Sequence, residues 1–171
     1  MVRNLRIFAL ISLLSALSGC AIDVSSSSFL HQDASPSSLD TTALNQAVTK
    51  DEAAITITTV EMQNGQDLTL RGVAVAYPEP KVNIVLFPDN GMTISKNSAL
   101  IHEFGKLPAN ILWVDYQGTG ASDKSGKPRM YNLKRDALLV YDYASEVFQN
   151  DLPTVVHGIS MGTILASYIC G

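Results

Sequence analysis

Five residues near the end of the chain have the types and spacing for covalent chemistry: Gly158-Ile159-Ser160-Met161-Gly162 fits G-x-S-x-G. A serine hydroxyl held in a sharp strand-to-helix turn can attack a carbonyl carbon. Such a turn strains the backbone at the serine, and glycines on both sides leave room for the strand and helix to cross. Ser160 would then stand out over the edge of a sheet, at the start of a helix whose dipole favours developing negative charge. The pattern is short, so its meaning depends on its setting. Pro153-Thr154-Val155-Val156-His157 before it reads as a buried strand, and Thr163 to Cys170 after it reads as the beginning of a helix.

The elements that must position this turn are legible upstream. Ala54 to Val60 and Leu68 to Val75 alternate β-branched residues around Asn64-Gly65, a hairpin signal. Val82 to Phe87 and Ile111 to Asp115 are nearly continuous apolar runs, as expected of strands buried on both faces. Between them Leu100, Ile101, Phe104 and Leu107 give one face of a helix over Ser95 to Leu107. Leu133, Ala137, Val140, Tyr141, Ala144, Val147 and Phe148 stripe a second helix from about Asn132 to Phe148. The order predicts an α/β fold: an antiparallel hairpin, then βαβ units and a parallel sheet flanked by helices. Ligand chemistry in such sheets sits at the carboxyl ends of the strands, here the loops Pro88–Ser95, Tyr116–Arg129 and Gly158–Gly162.

With the turn and its setting in view, residues 54 to 171 resemble the α/β-hydrolase superfamily. Asp115-Tyr116-Gln117-Gly118-Thr119-Gly120-Ala121-Ser122 is similar to that family's D-x-R-G-x-G-x-S loop, with Gln117 where arginine is usual, and Gly126-Lys127-Pro128 matches what often follows. The resemblance implies a serine hydrolase, with Ser160 as nucleophile and an acyl-enzyme formed from an ester, thioester or amide. It also implies an oxyanion hole from the backbone N–H groups of Asn90 and Met161. Gly158 and Gly162 are the elbow glycines, and Asp115 is a structural loop anchor rather than the triad acid. The partner would be a small-molecule or lipid-like acyl substrate, and no metal or organic cofactor is implied.

Two departures stand against this. Where the family carries His-Gly after the third strand, this chain has Pro88-Asp89, followed by Asn90-Gly91. Asp89 either turns inward, placing a carboxylate where an oxyanion must develop, or points outward and leaves only the backbone to matter. The family's acid and base follow the nucleophile, yet the eleven residues after Ser160 contain no His, Asp or Glu. His157 should point into the packing of the sheet, and His102 falls on the polar side of its helix. Without a base a serine hydroxyl is a weak nucleophile. The reading is therefore the N-terminal part of a longer esterase- or lipase-like hydrolase, incomplete at its C-terminus, whose 171 residues alone would be inactive. The alternatives are an inactive lipoprotein or truncated remnant, and a binding protein with a doubly wound sheet. In the fragment reading, Cys170 is an ordinary buried small residue.

The N-terminus speaks to compartment. Arg3 and Arg6, the apolar run Ile7 to Leu17 and Leu17-Ser18-Gly19 read as an export signal. The run is too short for a hydrocarbon core, which takes about 20 residues. Leu17-Ser18-Gly19-Cys20 resembles the bacterial lipobox, which implies cleavage after residue 19, acylation of Cys20 and attachment to a membrane by more than one acyl chain. Ala21 after the cysteine implies the outer membrane, facing the periplasm. Residues 20–50, with Ser25 to Ser28 and Ser35-Pro36-Ser37-Ser38, read as the acylated cysteine and a flexible polar tether that includes His31, and residues 51–171 as the hydrolase part. Twelve Lys plus Arg against sixteen Asp plus Glu, a net charge of −4, argue against a nucleic-acid partner. Two cysteines and three histidines without metal-site spacing argue against a zinc module.

Overall fold

The computed structural model describes residue 25 and residues 28–48, 55–104 and 107–171. A helix, α1 (Thr41–Val48), precedes strands β1 (Thr56–Gln63), β2 (Thr69–Ala76) and β3 (Val82–Phe87). Two short helices, α2 (Ile94–Asn97) and α3 (Ala99–Phe104), lead to β4 (Ala109–Val114). The long helix α4 (Met130–Phe148), strand β5 (Thr154–Gly158) and helix α5 (Gly162–Cys170) complete the order. The strands form one mixed sheet, β1-β2-β4-β3-β5, in which β2 runs antiparallel to β1 and β4, while β3 runs parallel to β4 and β5.

Alternation along the strands builds two cores, one on each face, because successive side chains leave a strand on opposite sides. Val85, Phe87, Leu112 and Val114 meet Leu133, Ala137, Val140 and Ala144 of α4 and Leu165 of α5. Ile84, Leu86, Ile111 and Trp113 meet Ile94 of α2, Ile101 of α3 and Leu44 of α1. The amino ends of the central strands are pinned by a side-chain chain. Asn110 Nδ2 donates to Asn83 Oδ1 and Asn83 Nδ2 to Asn150 Oδ1, each at 2.9 Å. Buried amides joined in this way oppose a slip in register, since a one-residue shift would leave them without partners.

Several expectations need amendment. The hairpin is present, but its turn is not built on Asn-Gly: Asn64 Oδ1 accepts from the N–H groups of Gln66 and Leu68, and the left-handed residue is Asp67. The helix expected over Ser95–Leu107 is broken at Ser98 into α2 and α3. Among the described residues strand β5 pairs with β3 alone, and Val155 is 47% exposed. Helix α5 packs on the sheet through Gly162 and Leu165, and Cys170 at its other end is exposed among the described residues. Part of the stretch read as a tether is ordered against the body. Asp40 Oδ1 caps α1 by accepting from the N–H groups of Thr42 and Ala43, and Leu44 is only 3% exposed. Residues 1–24, with the export signal and Cys20, lie outside the described residues. No helix of the described residues is long and apolar enough to cross a membrane.

Asp136, inside α4, gives the fold a pH dependence. Its Oδ1 accepts from Asn64 Nδ2 at 3.1 Å, and its Oδ2 has no partner among the described residues. Burial raises its pKa to about 6 from 3.8, against the pull of Asn64 and Arg135. The folded chain thus binds more protons than the unfolded chain between pH ~4 and ~6, and stability falls as pH rises through that window. Asp136→Asn is expected to be near neutral at pH ~4 and stabilising on the order of 2 kcal/mol at pH ~7, read by urea unfolding at both values. A gain of equal size at the two pH values would remove this assignment.

Candidate active site

The carboxyl ends of β3 and β5 lie side by side, with Phe87 opposite Gly158. The pairing continues one residue further, where Ile159 N–H donates to the Phe87 carbonyl at 2.9 Å. The chain then reverses within Ser160 and enters α5. Ser160 sits in the left-handed region at φ 51°, which few non-glycine residues occupy. The glycines on either side are fixed by space. A Cβ on Gly158 would stand 2.5 Å from the Gly162 carbonyl oxygen, and one on Gly162 would run into the Phe87 carbonyl. Strand and helix therefore cross at a separation that backbone alone can reach. Ser160 is lifted to the surface at the head of α5, and Thr163 Oγ1 ties to its carbonyl at 2.6 Å.

The loop after β3 supplies the facing wall. Tyr116, buried at the end of β4, donates its hydroxyl to the Pro88 carbonyl at 2.7 Å and fixes where that loop turns. Asp89 turns inward, which decides between the two orientations open to it. Its Oδ1 accepts from the N–H of Asn90 at 2.7 Å and from the N–H of Met161 at 3.3 Å. The two backbone donors expected to form an oxyanion hole thus converge on one point, and a carboxylate oxygen occupies it. The Ser160 hydroxyl is the largest influence holding the Asp89 pKa below the ordinary carboxylate value, followed by the Asn90 N–H.

Asp115 lies behind this wall as a loop anchor. Its Oδ1 accepts from Ile94 N–H at 2.9 Å and its Oδ2 from Ala121 N–H at 3.0 Å, joining the loop after β3 to the loop after β4. Burial raises its pKa to about 6 in spite of both bonds. The histidines are placed elsewhere. His157 packs edge-on against Phe104 with ring centroids 5.0 Å apart, and His31 Nε2 lies 3.1 Å from Asp33 Oδ1. The side chain of His102 is outside the described residues. Among the described hydrogen bonds none joins a histidine to Ser160.

Sequence reasoning missed one wall of the site. The segment Phe29–Ser37 crosses the carboxyl edge of the sheet as a strap. The Asn90 side chain holds it, donating to the Phe29 carbonyl at 2.5 Å and accepting from His31 N–H at 2.8 Å. Asp33 accepts from Gly120 N–H at 2.7 Å, and this bond is the main reason its pKa is lowered to about 2. Phe29 and Leu30 join Met130, Met161 and Ile164 around a cavity of about 550 Å³ whose floor holds Ser160, Asp89 and Asn90. Asp40 before α1 was a signal for that helix alone; the strap itself carries no periodic pattern. Among the described residues no cluster of His, Cys, Asp and Glu could hold a metal ion.

No family model matches the sequence, and no curated protein matches it. Solved structures do. An esterase of Pyrococcus furiosus superposes with a TM-score of 0.60 at 14% identity, covering 80% of this chain and 51% of its own. An alpha-beta hydrolase of Vibrio vulnificus gives 0.58 at 25% identity, over 75% of this chain and 43% of its own. Fungal esterases of Rhizomucor miehei are represented at 0.54 and 15% identity, over 75% and 44%. The chain carries part of the α/β-hydrolase fold. It spans about half the length of these proteins or less.

In this fold the Ser160 turn stores strain that a small residue would release. Ser160→Gly is expected to be more stable than Ser160→Ala by about 1 kcal/mol, the reverse of the usual order. Gly162→Ala is expected to cost about 1–3 kcal/mol or more through overpacking against Phe87. Urea unfolding measures both, and equal stability of the two Ser160 variants would dispose of the strain.

Proposed function

We propose that the chain is the N-terminal part of a serine hydrolase that cleaves an ester, thioester or amide through an acyl-enzyme on Ser160. The observation that carries the reading is the backbone of Ser160, left-handed between two glycines that admit no side chain, at the floor of an open cavity. A strained serine in such a strand-to-helix turn is an arrangement that can present a hydroxyl to a substrate, which supports this reading. In the reaction Ser160 Oγ adds to the carbonyl carbon, and the carbonyl oxygen takes the negative charge. The N–H groups of Asn90 and Met161, which meet at Asp89 Oδ1, are the proposed donors to that charge. The proton Ser160 gives up to the base passes to the alcohol, thiol or amine as collapse expels it; water then adds to the acyl carbon, releases the acid and returns a proton to Ser160.

The acid and base that activate Ser160 and the water are proposed to come from residues after Gly171. The apolar wall of Phe29, Leu30, Met130 and Ile164 suits the hydrocarbon part of an acyl group. With the lipobox-like Leu17-Ser18-Gly19-Cys20, the proposal places the protein on a bacterial membrane, held by acyl chains on Cys20.

A second reading, a hydrolase-like lipoprotein without catalysis, is favoured by one observation: Asp89 occupies the point where the oxyanion would form. The experiment that separates the two is labelling of the whole protein, in its membrane fraction, with a fluorophosphonate probe. Labelling is expected on Ser160 and is expected to vanish in Ser160→Ala, with hydrolysis of p-nitrophenyl butyrate falling by at least ~10³-fold. Absence of labelling beside a reactive serine hydrolase would decide for the second reading. Radiolabelled palmitate is expected to enter the protein and to be lost in Cys20→Ala; incorporation that persists in the variant would refute the anchor.

A further inference from the structure

A hydrolase of this kind needs two backbone donors free to receive charge. Here both already have a partner. Asn90 N–H and Met161 N–H meet at Asp89 Oδ1, 2.7 Å and 3.3 Å away. The first distance is that of a charge-assisted hydrogen bond, and the second leaves the weaker donor the easier one to reclaim. The Ser160 hydroxyl also acts on this carboxylate, as the largest of the influences that hold its pKa low. Both donors thus converge on one side chain, which takes the place an acyl oxygen would take.

What surrounds Asp89 limits how it can leave. Pro88 precedes it, with its carbonyl fixed by the buried Tyr116 hydroxyl. Asn90 follows it, with both ends of its side-chain amide committed to the strap, at the Phe29 carbonyl and the His31 N–H. The strap is held in turn at Gly118 and Gly120, where Asp33 N–H donates to the Gly118 carbonyl at 2.9 Å and Ser37 N–H to the Gly120 carbonyl at 2.7 Å. Loop and strap are cross-linked next to the carboxylate that fills the hole.

We propose that Asp89 is a built-in ligand of the oxyanion hole, a specificity-determining residue that must be displaced before any substrate carbonyl is polarised, and that the Asn90 clamp to the Phe29–His31 strap sets how readily it moves. The inference rests on the reading of Ser160 as a nucleophile, but the occupancy of the hole can be measured without turnover. Two consequences follow for the chemistry the site accepts. A free carboxylate or phosphate competes poorly with a carboxylate already in place, so the site discriminates against anions at the reacting end. A neutral acyl substrate gains the hole only by exchanging its carbonyl oxygen for Asp89 Oδ1 on the same two donors.

The test uses the full chain, isotope-labelled, with inorganic phosphate and acetate as probes and the Asn90 and Met161 amide resonances as the readout. In the unsubstituted protein neither anion is expected to move these two resonances together. In Asp89→Gly both are expected to shift along one saturable curve, with at least tenfold tighter binding of each anion, and in Asn90→Ala by a smaller factor. Binding in a folded Asp89→Gly no tighter than in the unsubstituted protein would overturn the inference. Should that variant fail to fold, acid titration of the unsubstituted protein serves instead. The two amide protons are expected to shift together as Asp89 takes up its proton, below the ordinary carboxylate range, while Asp33, lowered to about 2 on the strap, is followed separately at the Gly120 amide it accepts from. Independent titration of the two amides would also overturn it. Fluorophosphonate labelling at least tenfold faster in Asp89→Gly is expected if Ser160 is the nucleophile; labelling in neither protein sinks that reading and leaves the occupancy to the amide shifts alone.

Discussion

The carboxyl edge of this sheet depends on one close approach: the start of α5 against the end of β3. A Cβ at Gly162 would collide with the Phe87 carbonyl, so the helix can begin there only as glycine. From that contact the rest follows in order. The short separation forces the chain to reverse within a single residue, which puts Ser160 at a positive φ. The reversal lifts the serine above the strand ends and brings Met161 N–H within reach of the loop after β3. A larger residue at position 162 would push α5 outward, relax Ser160 and part the two backbone donors. The strain at Ser160 is therefore sustained by packing some distance away, chiefly Leu165, fully buried against Val85 and Phe87.

Three carboxylates line the same edge and show how environment separates like groups. Asp115 is buried, and although two backbone N–H groups reach it, desolvation raises its pKa to about 6. Asp33 is on the surface, where the Gly120 N–H, and then Lys96 and His31, lower its pKa to about 2. Asp89 is held low by the Ser160 hydroxyl and the Asn90 N–H. Each takes backbone N–H groups that the loops leave without partners, as such groups demand when water is scarce. The strap gains little from its exposed ion pair between Asp33 and Lys96, since exposed pairs contribute ~0–1 kcal/mol. Its hold comes from backbone bonds to Gly118 and Gly120 and from the Asn90 side chain.

The layered α/β architecture was legible because buried strands such as Val82–Phe87 carry unbroken apolar runs and α4 carries a clear stripe. The Ser160 turn was legible because its glycines are demanded by geometry. The strap was not, since Phe29 to Ser38 has the composition of a solvated linker and earns its order from partners far along the chain. Local pattern carries no trace of a bond between residues 31 and 90. The hairpin turn misled for a related reason: Asn64 uses its side chain to close a wider loop, so Asp67 rather than Gly65 takes the left-handed position.

Asp89 poses the remaining physical question, because the same bonds that satisfy the fold oppose the chemistry. Asn90 N–H and Met161 N–H sit at a loop and a helix start, where among the described residues their acceptor is a side chain, that of Asp89. A glycine at position 89 would leave both to water, which costs little at an open cavity and leaves them free for a substrate oxygen. An aspartate satisfies them from within the chain and neutralises part of the helix dipole, which stabilises the resting loop. The same exchange raises the barrier to an oxyanion, where loss of one donor alone is worth about 2.7–4 kcal/mol. A site tuned for rate would not keep that carboxylate in the ground state unless substrate binding displaced it. The clamp on Asn90 makes displacement a property of the strap as well as of the loop. On the proposed reading of Ser160 as a nucleophile, stability and reactivity at this edge are set against each other through one side chain, with the strap tied to both.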